Sequence, residues 1–257
     1  MKIVICGKGG SGKSSVVATL ARALATENIT VLVVDCDESN TGLHRLLGLD
    51  RPVNLLDHIG GKKAFKQKMN QALPDATDPL LGGRLSIDTL PPGCVSKNGR
   101  IHLAAVGKIH EAGEGCACPM GVLSKNVLSR LDMTGDQVVI IDTEAGIEHF
   151  GRGVDGGCDL ILGVVDPSFE SFELAGRIAA MAGALATEFA FILNKVDDRS
   201  AAVMADHVDE DRIIARLPFS DDVFMSSLKG EPLNSDMPEI APVCDLIKNR
   251  LGRRTSC

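Results

Sequence analysis

The stretch GKGGSGKS at 7–14 constrains the fold of this chain more than any other. It follows the apolar run KIVIC (2–6), which reads as a buried strand. It opens a helical pattern over 14–25, with Val17, Leu20, Ala21 and Leu24 on one face. Strand, glycine-rich turn and helix in that order match the G-x-x-x-x-G-K-[ST] phosphate-binding loop in the context the pattern requires. Gly7, Gly9, Gly10 and Gly12 let backbone N–H groups surround phosphate oxygens, with Ser11 and Ser15 in the same cradle, and the helix N-terminus adds a favourable dipole. Lys13 is expected to reach the β- and γ-phosphates and Ser14 to ligate Mg²⁺.

The remaining apolar runs agree with that beginning. ITVLVVD (29–35), VVIID (138–142), LILGVVD (160–166) and FAFILN (189–194) are short and bounded by turn residues, and 172–185 is helical between two of them. Strands alternating with helices predict an α/β fold, a mostly parallel twisted sheet flanked by helices, with ligands at the carboxyl ends of the strands. Asp35, Asp37 and Asp142 stand at such strand ends. Residues 62–73 read as a helix and 83–93 as a strand running into a turn, but about 50–116 is less regular and reads as an insertion. Without repeats or a low-complexity linker, the 257 residues are expected to form a single domain, 1–257.

Composition narrows the function. Net charge is −7 and no basic stripe is present outside the C-terminal end, which argues against a nucleic-acid partner. No apolar run approaches the roughly eighteen residues of a spanning helix, and the N-terminus does not read as a leader, so the protein is expected to be cytoplasmic. The ending LIKNRLGRRTSC has too few large apolar residues for stable membrane anchoring and reads as a solvated basic end. Eight cysteines in a reducing compartment are not a disulfide framework, and several lie in apolar runs as small hydrophobes.

Cys116 and Cys118, in GEGCACPMG, differ from these because glycines and a proline surround them. On an extended segment residues two apart share one side. Pro119 suits the first turn of a helix that Met120, Leu123, Val127 and Leu131 continue as an apolar stripe, placing Cys118 at a helix N-terminus that favours thiolate. Two thiolates are half of a four-ligand site, and a two-fold axis passing near them would supply the other half. Four sulfurs suit Zn²⁺, Cu(I), an iron–sulfur cluster or Ni²⁺. Free thiols or a redox pair are the alternatives.

The form KGGSGKS, with Lys8 directly after the first glycine, resembles the deviant phosphate loop of the MinD/ParA and nitrogenase iron protein group of P-loop NTPases. The resemblance implies that Lys8 reaches the nucleotide of a partner subunit, hence a nucleotide-dependent homodimer. It makes Asp37 the switch I carboxylate that positions or deprotonates the attacking water, catalytic beside Lys8 and Lys13. It makes Asp142 the Walker B aspartate that holds Mg²⁺, and Gly146 the switch II glycine. In NKVD (194–197) it makes Asn194 an adenine contact, with Pro218 and Phe219 of LPFSD closing over the base. ATP is therefore the expected nucleotide, although Asp197 leaves GTP open. Glu144 is a candidate contact with the partner.

GCACPMGVL, DTEAGIEHFGRG (142–153) and GKGGSGKSS together look like the CooC-type ATPase family, from the first strand to about Leu233. DCDES lacks a proline common after that Asp. This family matures nickel carbon monoxide dehydrogenase, and related members serve acetyl-CoA synthase. The resemblance implies an ATP-dependent metallochaperone carrying Ni²⁺ or Zn²⁺ between Cys116 and Cys118 of two subunits to one of those apo-enzymes. A MinD/ParA-type spatial regulator and an electron-transfer ATPase with a bridging [4Fe–4S] cluster remain alternatives. Glu148, His149 and Cys94 stay outside the expected metal set.

Overall fold

The computed structural model describes residues 1–69, 83–108, 118–146 and 157–254, with the backbone alone at 118, 119 and 254. The first half runs β1 (Lys2–Gly7), α1 (Lys13–Thr26), β2 (Thr30–Asp35), the short helices α2 (Leu43–Leu46) and α3 (Leu55–His58), then α4 (Gly61–Met69). It continues through β3 (Ser96–Asn98), β4 (Ile101–Ala105), α5 (Cys118–Arg130) and β5 (Gln137–Asp142). The second half holds β6 (Leu160–Val165), α6 (Phe169–Ala184), β7 (Phe189–Val196), α7 (Ser200–His207), β8 (Ile213–Pro218), α8 (Asp221–Lys229) and α9 (Ala241–Arg254).

Eight strands form one sheet in the order β3-β4-β2-β5-β1-β6-β7-β8, and β3 is antiparallel to β4 while every other neighbour is parallel. This is the expected single-domain α/β fold. Parallel strands buried on both faces explain why β1, β2, β5 and β6 read as unbroken apolar runs. Alternate side chains go to opposite faces. Ile3, Ile5, Val31, Val33 and Ile140 meet α1 (Val17, Leu20, Leu24) on one side. Val4, Leu32, Val34, Val139 and Ile141 meet α5 (Leu123, Val127) and the α3 leucines on the other. The stripe Met120, Leu123, Val127 and Leu131 is buried as its spacing predicted.

Register decides what gathers at the carboxyl edge. β5 lies between β2 and β1, and Asp142 is level with Asp35 on one side and Ile5 on the other. The turn after β1, the loop after β2 and the end of β5 therefore share one rim.

Three local expectations need correction. Residues 83–93 are not a strand: Leu85 makes one bridge to Leu131, and a 3₁₀ turn at Ile87–Thr89 follows, closed by reciprocal Ser86 and Thr89 hydrogen bonds. The stretch from 50 to 116 is not wholly an insertion, because β3 and β4 complete one edge of the main sheet. β4 was obscured by His102, which breaks its apolar run, and by its isolation among glycines. Residues 241–254 are not a solvated tail. Helix α9 buries Val243, Cys244, Ile247 and Leu251 in the core cluster that also holds α1, with Lys248 and Arg250 half-buried and Arg253 exposed. Its few apolar residues are spaced i, i+1, i+4, i+8, enough for one packed stripe. Ile247→Ala is expected to lower unfolding free energy by about 2–5 kcal/mol, read as a lower urea midpoint.

Candidate functional site

The phosphate-binding loop is fixed by close backbone approaches. Gly7 has φ 151°, and a Cβ there would lie 2.4 Å from the Val164 carbonyl oxygen of β6. Gly12 has φ 94°, and a Cβ there would lie 2.3 Å from Asn194 Nδ2. Gly12 also caps α1 without any side-chain cap, and the first turn of α1 carries no acidic residue. The N–H groups at the start of α1 are thus left for an anion and have no carboxylate competing for them. Gly9, Gly10 and Ser15 line the adjoining cavity, while Ser11 is wholly buried beneath them. Lys13 curls over the loop, its Nζ donating to the Gly7 and Lys8 carbonyls, each at 3.2 Å. Gly12→Ala must both strain the backbone and displace Asn194, so loss of nucleotide binding by at least about tenfold is expected, measurable by calorimetry.

Ser14, Asp142 and the β2 loop meet at the rim. Ser14 Oγ donates to Asp142 Oδ2 at 2.8 Å and accepts from Asn40 Nδ2 at 2.7 Å. Asp142 is fully buried, and its Oδ1 has no hydrogen-bond partner. Burial pushes its carboxyl up to about 7, Asp35 and Asp37 add to the rise, and Ser14 and Lys13 oppose it. A buried acceptor oxygen beside a serine hydroxyl fits a hard divalent cation such as Mg²⁺. Asp37 lines the same cavity, and three donors (Ser39 N, Ser39 Oγ and Asn40 N) converge on its Oδ1 at 2.7–3.1 Å. Its Oδ2 is the oxygen they leave unused. Gly146, at φ 94°, bonds from its N–H to the Gly7 carbonyl at 3.1 Å, tying the segment after β5 to the phosphate loop.

The cavity holds about 500 Å³. Its polar wall is the phosphate loop, and its apolar wall includes Leu217, Pro218, Phe219, Val223 and Phe224. Asn194 is buried at the junction, with Nδ2 donating to the Ser11 carbonyl at 2.8 Å, so it braces the loop as well as lining the cavity. Lys195 adopts φ 60° and donates to the Gly10 carbonyl at 2.6 Å. Asp197 does not line the cavity: its Oδ1 accepts from Arg199 N and Ser200 N and caps the start of α7.

Lys8 is folded onto its own chain, with Nζ 3.0 Å from Ser168 Oγ and 3.8 Å from Glu170. Sequence reasoning missed the residues that shape this rim, namely Asn40, Ser168 and Lys108. Asn40 stands three residues after Asp37, a spacing that could have drawn attention to it. Lys108 carried no signal. Cys94 is fully buried in the core, where burial raises its thiol above the ordinary range. Cys116, Glu148 and His149 lie outside the described residues, and Cys118 is described only as the backbone residue that opens α5. Among the described residues, no group of three or more His, Cys, Asp or Glu is placed to hold a metal ion. No helix among them is long and apolar enough to cross a membrane.

Comparison with known proteins follows the same lines. The chain is 44% identical over 96% of its length to the uncharacterized ATP-binding protein MJ0084 of Methanocaldococcus jannaschii, covering 99% of that protein. It is 31% identical over 85% of its length to the carbon monoxide dehydrogenase accessory protein CooC of Rhodospirillum rubrum, covering 84% of that protein. Its fold matches the septum site-determining protein MinD of Pyrococcus horikoshii with a TM-score of 0.65 at 17% identity, over 96% of this chain and 95% of that one. The CobQ/CobB/MinD/ParA nucleotide binding domain matches residues 2–233, and the chain accordingly belongs to this family of ATP-binding P-loop ATPases.

Proposed function

We propose that the protein is an ATP-dependent metallochaperone that acts as a homodimer in the cytoplasm. Its cargo is a soft or borderline transition metal, nickel in the first instance and zinc in the second. The client is an apo-enzyme of the carbon monoxide dehydrogenase or acetyl-CoA synthase type. The observation that carries this reading is the Cys116-x-Cys118 pair at the leading end of α5, in a chain 31% identical to a carbon monoxide dehydrogenase accessory protein.

On this reading the N–H groups of Gly9 to Ser15 and the Lys13 ammonium hold the phosphates of ATP. Asn194, Pro218 and Phe219 bound the adenine end. Ser14 and Asp142 would hold Mg²⁺, which supplies charge neutralisation on the β- and γ-oxygens. Asp37 Oδ2 orients the attacking water and takes its proton. Lys8 leaves Ser168 and Glu170 to reach the partner's nucleotide, a modest exchange because its ties are half-exposed. Dimer closure brings two copies of Cys116 and Cys118 together around one metal ion. The family's fold and the two-ligand count on each chain support the dimer, since a closed sulfur site takes four ligands.

Metal analysis of anaerobically purified protein tests the reading. One nickel or zinc per two chains, in a colourless or weakly coloured sample, is expected. A brown sample with iron and sulfide would replace the metallochaperone with an electron-transfer ATPase. No metal at all, together with ATP-dependent binding to liposomes or DNA, would point instead to a spatial regulator.

A further inference from the structure

The loop that carries Asp37 is organised around a lysine from another element. Lys108 follows β4 by three residues and is 5% exposed. Its Nζ donates to Asp35 Oδ2 at 2.7 Å and also to the backbone carbonyls of Asp37 and Asn40. An ammonium has three N–H donors and no acceptor. All three are used, and all three acceptors lie in the six residues from Asp35 to Asn40. Two carbonyls turned inward to one cation define the curvature of this loop, and that curvature sets where the Asp37 carboxylate and the Asn40 amide project.

Lys108 is itself held at its base. Val106 N donates to the Asp35 carbonyl at 3.0 Å, extending the β2–β4 ladder, and Val106 O accepts from Leu56 N at 2.9 Å. Gly107 packs so closely on the first turn of α5 that a Cβ there would lie 2.9 Å from Met120 Sδ and 3.3 Å from Leu56 Cβ. The ammonium therefore projects from a fixed point. Neither Lys108 nor Asp35 lines the nucleotide cavity, whereas Asp37 and Asn40 do. A buried ion pair is weak evidence for stability in its own right. Three convergent bonds to a single loop serve position instead.

We propose that Lys108 is a positioning residue for ATP hydrolysis: by gathering the Asp35 carboxylate and the Asp37 and Asn40 carbonyls, it aims Asp37 at the attacking water without touching nucleotide. This rests on the hydrolytic role given above to Asp37.

Lys108→Met alone strands a buried carboxylate and is a poor test, because it can simply unfold the chain. The charge-neutral pair Asp35→Asn with Lys108→Met, and Lys108→Arg separately, keep the question open to measurement. Arg keeps the charge, but its planar fork does not direct three N–H groups to one small locus. For both variants kcat of Mg-ATP hydrolysis is expected to fall at least about tenfold, with Kd for a non-hydrolysable ATP analogue within about threefold of the parent. Tm should change by only a few degrees. Parent-like kcat in the double variant overturns the proposal, as does a loss of kcat and nucleotide affinity together in step with falling Tm. Asp37→Ala is measured in parallel. If it hydrolyses normally, the role given to Asp37 fails and the proposal with it. If it is inactive while the double variant is normal, only the Lys108 proposal fails.

Discussion

Asp37→Ala is expected to lower kcat of ATP hydrolysis by about 10²–10⁴, the range for loss of a positioned general base. The affinity for Mg-ATP should hold within a few fold. The asymmetry follows from the geometry. On the proposed reading phosphate contacts come from the loop after β1, whereas the hydrogen bonds of Asp37 Oδ1 run to Ser39 and Asn40 of its own loop. Removing the side chain therefore deletes the unused Oδ2 and loosens the turn at Ser39 and Asn40, without emptying the phosphate cradle. Single-turnover hydrolysis alongside analogue binding separates the two effects. Equal loss of binding and turnover would place Asp37 in nucleotide binding instead.

Cys116→Ser with Cys118→Ser is expected to take bound metal from one ion per two chains to none, while Mg-ATP binding by the single subunit persists. Among the described residues the nucleotide cavity is lined from the ends of β1, β2, β5, β7 and β8 and from α8, while the two thiols stand in sequence at the start of α5. Coupling between them is nonetheless required if both ligands favour one closed dimer. Metal should then tighten the ATP analogue and the analogue should tighten metal by the same factor, and the double serine variant should abolish both effects. Metal content by elemental analysis and affinity by titration check this pair. Undiminished metal in the serine variant would remove Cys116 and Cys118 from the site.

The parts legible in the sequence share a physical cause. Central parallel strands are buried on both faces, so β1, β2, β5, β6 and β7 stood out as apolar runs. The phosphate loop stood out because glycines at positive φ, a buried lysine and a helix start leave a fixed spacing. The outer part of the sheet carries no such signal: β3 is a three-residue edge strand with its last two residues exposed, and in β4, one strand in, His102 interrupts the apolar run. Helix α9 misled for a related reason, since one narrow stripe of four residues anchors it while four of its last seven residues are lysine or arginine. The rim was half legible. Asp37 and Asp142 stand at strand ends, but Lys108 meets Asp35 across 73 residues only because β4 lies beside β2. No spacing rule reports a contact made by sheet order.

The proposed coupling of ATP to metal delivery requires two copies of this chain around one metal. Mass measurement of the intact protein under native conditions, loaded with Mg²⁺, a non-hydrolysable ATP analogue and Ni²⁺, tests that directly. A species of two chains, two nucleotides and one nickel is predicted, and it should fall to single chains when Lys8 is replaced by alanine. Single chains that bind nickel and hydrolyse ATP at the full rate would contradict it.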